Sequence, residues 1–161
     1  MTLSKGQVFP DAQLSVMGPD GPALVSLADK LKGRKVIVFG LPGAFTGTCS
    51  TTHLPSFMRV SKALAEKGVE EIICVSVNDP FVLDAWDKAT GASAGGVTLM
   101  GDATGALTRE LGMAFDAPAI GLTGRSNRYA ALVEDGVVTQ VNIDEPGVCD
   151  ISTGERFLEA I

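Results

Sequence analysis

Two stretches of this chain, KVIVFGL (35–41) and VEEIICVSVND (69–79), are wholly apolar at their centres. A strand with one wet face would alternate apolar and polar residues. These do not, so the sheet they enter must be covered on both faces. Between them, STTHLPSFMRVSKALAEK (50–67) sets Leu54, Phe57, Met58, Ser61, Leu64 and Ala65 along one side of a helix. Pro55 should kink that helix or delay its regular part, and Gly68 is placed to end it.

The same alternation continues. PFVLDAWDKAT (80–90) predicts a helix capped by Asp79 with Pro80 at its first position. GASAGG (91–96) reads as a loop, VTLMGD (97–102) as a strand and TGALTRELGM (104–113) as a short helix. NRYAALVEDGVVTQVNI (127–143) gives two strands flanking Asp135-Gly136, a strong hairpin signal, and TGERFLEAI (153–161) a terminal helix. At the other end, the turn PDGP (19–22) separates the apolar stretches QVFPDAQLSVMG and ALVSLADKL. The expectation is an α/β fold of thioredoxin-like topology, one domain over residues 1–161, with a mixed central sheet and helices on both faces.

Composition removes several functions. The net charge is −6, from 13 basic and 19 acidic residues, and the basic ones are scattered singly or in pairs, so no nucleic-acid partner is expected. No apolar run approaches the roughly 20 residues of a membrane span, so no membrane partner is expected either. The first residues, MTLSKGQVFPDA, lack the pattern of an export signal. With only 3 cysteines, reduced thiols in a cytoplasmic location are expected.

The chemistry concentrates in PGAFTGTCSTTH (42–53), directly behind the first buried strand. In α/β sheets ligands bind beyond the carboxyl ends of strands, where helices begin. Cys49 falls there, and the unpaired N–H groups of a helix start favour a thiolate, lowering a cysteine pKa from about 8.5 to roughly 3.5–7.5. A buried, inert cysteine is the competing reading. Pro42, Gly43 and Gly47 shape a tight loop, and Thr46 and Thr48 bring hydroxyls to it, Thr46 at capping distance from the helix start. A phosphate loop lacks its lysine, a CxxC motif finds threonine at 46 and 52, and zinc would have only Cys49 and His53, so no metal is expected. A cysteine–histidine hydrolase stays open, since i and i+4 lie about 6 Å apart on one helix face. Against it, His53 can equally be a helix-face residue that packs or bonds locally.

PGAFTGTC fits Pro-x-x-x-Thr-x-x-Cys, and with LPGAFTGTCSTTHLPSF, CVSVNDPFV, DATG and GRSNRYAALVEDG the chain resembles the type II, peroxiredoxin-5-like subfamily of peroxiredoxins from Phe9 to the terminal helix. The resemblance implies a thiol peroxidase with Cys49 as the peroxidatic cysteine, oxidised by hydrogen peroxide or organic hydroperoxides to a sulfenic acid. It implies that Pro42 shields the sulfur and that Thr46, with backbone amides near Thr48 and Cys49, holds the peroxide oxygens. Arg128 would lower the thiol pKa, with Arg125 as a competitor for that role. It further implies no metal, haem or flavin cofactor, a homodimer with its contact near the active site, and glutaredoxin, glutathione or thioredoxin as reductant. Cys149 is a possible resolving cysteine, whereas Cys74, between isoleucine and valine, reads as core. Gly47 and Ser56 depart from the subfamily's usual proline and glycine, and a somewhat looser loop is expected from them.

Overall fold

The computed structural model describes residues 2–161, with every side chain among them except that of Cys49. The strands are β1 (Gln13–Gly18), β2 (Gly21–Ser26), β3 (Lys35–Gly40), β4 (Glu71–Ser76), β5 (Thr98–Gly101), β6 (Ala114–Ala117), β7 (Leu122–Ser126), β8 (Tyr129–Glu134) and β9 (Val137–Ile143). The helices are α1 (Leu27–Leu31), α2 (Leu54–Glu66), α3 (Pro80–Thr90), α4 (Ala106–Glu110) and α5 (Gly154–Ala160). A 7-stranded sheet runs β2-β1-β5-β4-β3-β8-β9, and β6 pairs with β7 apart from it.

The apolar strands sit at the centre, as their composition requires. β3 pairs parallel with β4, and β4 with β5, while β8 joins β3 antiparallel and carries β9. Residues 36–39 of β3 are all fully buried and divide by parity. Ile37 and Phe39 enter a core with Leu54 and Phe57 of α2, Trp86 of α3 and Phe157 of α5. Val36 and Val38 enter a second core with Leu27 and Leu31 of α1 and Leu107 of α4. The fold is thioredoxin-like, mixed and covered on both faces.

Local signals act where expected. Asp79 caps α3, its carboxylate accepting from Val82 N at 2.9 Å, with Pro80 in the first turn. Asp135 and Gly136 take φ of 47° and 81°, the left-handed pair that a tight hairpin turn needs. Both margins of the sheet are guarded. Pro22 lies on the outer strand β2, and Val8 bridges Val137 at the start of β9.

Three features depart from the sequence reading. ALVSLADKL divides into β2 and the one-turn helix α1, which Ser26 caps and Leu27 and Leu31 anchor. Residues 114–126 form the β6–β7 hairpin, whose strands have a turn-like composition. The helix expected over 50–67 becomes regular only at Leu54, preceded by a π-helical turn at Cys49–His53. Pro55 has no N–H to give the carbonyl four residues back and its ring crowds that carbonyl, so the turn before it widens. Among the described residues no helix is long and apolar enough to cross a membrane.

Candidate active site

The loop after β3 is held from three sides. At its base, a Cβ on Gly40 would collide with the Tyr129 ring. From β7, Arg125 Nη1 donates to the Pro42 carbonyl at 3.0 Å. From the end of β4, Asn78 Oδ1 accepts from Ala44 N at 3.0 Å and from Ser76 Oγ at 2.6 Å. The loop is thus pinned by backbone contacts whose donors and acceptors sequence reasoning missed. Arg125 is the exception, expected as a competitor for the thiol-activating role and found instead on the Pro42 carbonyl.

Within the loop Phe45 adopts φ 63°, a left-handed conformation costly for a bulky residue, and the residue is 56% exposed. Thr46 occupies the capping position through its carbonyl, which accepts from Ser50 N at 3.1 Å. Its hydroxyl turns back and donates to Gly43 O at 2.7 Å, leaving the oxygen lone pairs to accept. Ser50 Oγ accepts from the indole N–H of Trp86 at 2.9 Å, tying the π-helical turn to α3.

These residues open onto a cleft of about 380 Å³ lined by Pro42, Thr46, Gly47, Thr48 and Arg128. Phe115 and Ile120, from the β6–β7 region, supply an apolar wall. Pro42 is buried, Thr46 half-buried and Thr48 exposed. Arg128, just before β8, is half-buried, its Nη1 donates to Val148 O at 3.5 Å, and its own carbonyl accepts from Asp144 N at 3.0 Å. All four companions expected for Cys49 therefore share one cleft, across 86 residues of sequence from Pro42 to Arg128. The Cys49 side chain lies outside the described residues, and its backbone opens the π-helical turn.

His53 is fully buried against the Phe39 and Phe57 rings. Its Nε2–H faces a carbonyl, Ser152 O, at 3.1 Å, which fixes the tautomer, and Nδ1 meets no hydrogen-bond partner among the described residues. Burial above all lowers its pKa to about 4. A base that weak, engaged 99 residues away, is poorly suited to activating a thiol, and the hydrolase reading loses its base. The bonding is long-range where a local bond was expected. Cys74 is core, as read from its neighbours. Cys149 is half-buried in the loop after β9.

The redoxin family matches residues 4–155. Peroxiredoxin-2E-2, chloroplastic, from Oryza sativa subsp. japonica is 43% identical over 164 residues, covering 99% of this chain and 73% of its own. The chain belongs to the peroxiredoxins. A structure of reduced Prx3 from Vibrio vulnificus in complex with H2O2 superposes with a TM-score of 0.92 at 36% identity, covering 99% of both chains. Peroxiredoxin 5 from Alvinella pompejana does so with a TM-score of 0.84 at 30% identity, over 98% of this chain and 97% of that one. This peroxiredoxin is of the type II, peroxiredoxin-5-like kind, a thiol-dependent peroxidase with an antioxidant function.

In this peroxiredoxin Arg125 passes over Gly43, and a Cβ there would overlap Nη1. Gly43→Ala is expected to push Arg125 off the Pro42 carbonyl and to slow the peroxide reaction about 10- to 100-fold through loop misplacement. Stopped-flow rates check this: adding Arg125→Ala to Gly43→Ala should cost little more, because both break one contact.

Proposed function

We propose that Cys49 is the peroxidatic cysteine and that the protein reduces hydrogen peroxide and organic hydroperoxides through it. The thiolate attacks one peroxide oxygen, the O–O bond breaks, and the departing oxygen takes a proton and leaves as water or alcohol. Sulfur is oxidised to a sulfenic acid. A reductant thiol then displaces water to form a mixed disulfide, and a second thiol releases Cys49 in its starting state. Glutaredoxin, glutathione or thioredoxin supplies those thiols.

One observation carries this reading: Pro42, Thr46, Thr48 and Arg128 line one cleft at the helical turn that Cys49 opens. The lone pairs of Thr46 Oγ1 can receive the proton-bearing peroxide oxygen. The guanidinium of Arg128 can stabilise both the thiolate and the charge passing to the leaving oxygen. The apolar wall of Phe115 and Ile120 suits the carbon chain of an organic hydroperoxide. The Vibrio vulnificus relative was crystallised in complex with H2O2, which supports hydrogen peroxide as a ligand of this site.

Mass spectrometry after mixing reduced protein with one equivalent of peroxide tests the assignment. One oxygen atom, or a new sulfur–sulfur bond, should appear on Cys49. Oxygen found first on Cys74 or Cys149 would overturn it.

A homodimer is part of the proposal, its contact at the cleft mouth, where Phe45, Ile120 and Val148 are exposed apolar side chains; sedimentation at micromolar concentration checks it. Cys149 as a resolving cysteine is proposed only for turnover with thioredoxin, since disulfide formation needs Cα atoms within about 7 Å and hence an unwound Cys49 turn. The proposed location is the cytoplasm, where such reductants are supplied.

A further inference from the structure

Ser56 stands where the subfamily usually has glycine, and it is fully buried. A looser loop was expected from this departure, but the contacts run the other way. Ser56 Oγ donates to His53 O at 2.6 Å and accepts from Gly154 N, the first residue of α5, at 2.8 Å. The approach is close enough that a Cβ on Gly154 would collide with the Ser56 carbonyl. One hydroxyl therefore stitches the end of the π-helical turn to the start of α5.

A second stitch lies beside it. The His53 Nε2–H donates to Ser152 O, with Ser152 Oγ at 3.3 Å, and Ser152 Oγ donates to Asp144 Oδ2 at 2.5 Å. The Asp144 carboxylate also accepts from the backbone amides of Asp150, Ile151 and Ser152. Asp144 N in turn holds the carbonyl of Arg128. The turn bearing Cys49 and the strand end bearing Arg128 are thus fastened to the same loop through its two buried residues, Asp144 and Ser152.

We propose that Ser56 and the His53–Ser152–Asp144 chain form a latch on the peroxidatic turn, and that the latch sets how readily the turn unwinds to let a reductant reach the oxidised sulfur. Ser56 and His53 are positioning residues in this scheme. They favour the folded turn, which reacts with peroxide, over the opened turn, which is reduced. The inference rests on Cys49 being peroxidatic, but the latch itself can be read without any sulfur chemistry.

Two variants separate its parts. Ser56→Ala keeps the side-chain volume near that of serine and removes the stitch to Gly154. Ser152→Ala removes the hydroxyl that donates to Asp144 beside His53, leaving the Ser152 carbonyl bonded to His53 and α2 untouched. Amide hydrogen exchange over residues 49–53 of the reduced protein should quicken about tenfold in each, the effect of one lost buried hydrogen bond. Fluorescence of Trp86, the only tryptophan and bonded to Ser50 in that turn, should shift in the same variants. After oxidation, reduction by dithiothreitol should accelerate about tenfold while the first reaction with hydrogen peroxide slows, and overoxidation by excess peroxide should fall in step.

Unchanged exchange in both variants overturns the latch. Faster exchange with an unchanged reduction rate overturns its gating of the reductant, and so does a parallel slowing of both chemical steps, which marks a merely structural loss. Oxygen found on a sulfur other than Cys49 would instead overturn the assignment of the peroxidatic residue and leave the exchange result standing.

Discussion

Arg128→Gln is expected to slow the reaction of reduced protein with hydrogen peroxide by about 10²- to 10³-fold, the usual cost of removing one donor aimed at developing charge. The same substitution should raise the pKa of the Cys49 thiol, because the cation that favours its ionised form is gone. The effect should be large because Arg128 lines the cleft with Thr46 and Pro42, whereas Arg125 reaches only the outer carbonyl of Pro42. Arg125→Gln should therefore cost less. Arg128→Lys should recover the thiol pKa better than the rate, since an ammonium supplies charge without the planar fork of donors. Stopped-flow kinetics and thiolate absorbance over pH measure both quantities. A glutamine variant with the parent's rate and titration would remove Arg128 from the proposed chemistry.

Acid should destabilise this protein earlier than its carboxylates alone would dictate. Burial lowers the His53 pKa from 6.5 to about 4, against the opposing pull of the Ser152 carbonyl; Arg128 lowers it further and Asp144 raises it. Between those values the unfolded chain takes up a proton that the folded chain refuses. Stability must then rise with pH: the His53 contribution is complete above about 6.5 and is lost as pH falls towards about 4. From about pH 7 to about pH 4.5 the loss is about 2–3 kcal/mol. Asp144 acts with the same sign in a lower window. Burial pushes its carboxyl up, but the Ser152 hydroxyl and three backbone amides outweigh that and hold it below the ordinary value, so its contribution disappears only on protonation in stronger acid. Urea denaturation at the two pH values should show the loss in the parent and a much flatter response in His53→Gln. Equal pH dependence in both proteins would mean that His53 is not kept neutral by burial.

Much of the fold was legible because the relevant signals are local. The unbroken apolar centres of β3 and β4 demand a sheet covered twice, and Asp79-Pro80 and Asp135-Gly136 determine a cap and a turn by their own geometry. Pro55 announced an irregular helix start, though not that the irregularity would be a widened turn. α1 and the β6–β7 hairpin were illegible for a related reason. Each is so short that its stability comes from packing, which no window of sequence contains.

The site divides in the same way. Pro42, Thr46 and Thr48 lie close to Cys49 in sequence, and the family resemblance supplied Arg128. Asn78 and Arg125 hold the loop through its backbone carbonyl and amide, groups that every residue has, so no side-chain pattern points to them. His53 was judged by its distance along the helix from Cys49, while its real partner lies 99 residues away.

The guarded margins of the sheet restrict how copies of this protein can meet. Pro22 withholds an amide from any strand arriving beside β2, and the Val8 bridge occupies the first rung that β9 would offer. Growth of a continuous intermolecular sheet is discouraged on both flanks. The association of copies proposed above would then draw on exposed loop side chains such as Phe45 and Ile120, and because Ile120 also lines the cleft, it would shape the entrance that substrate uses.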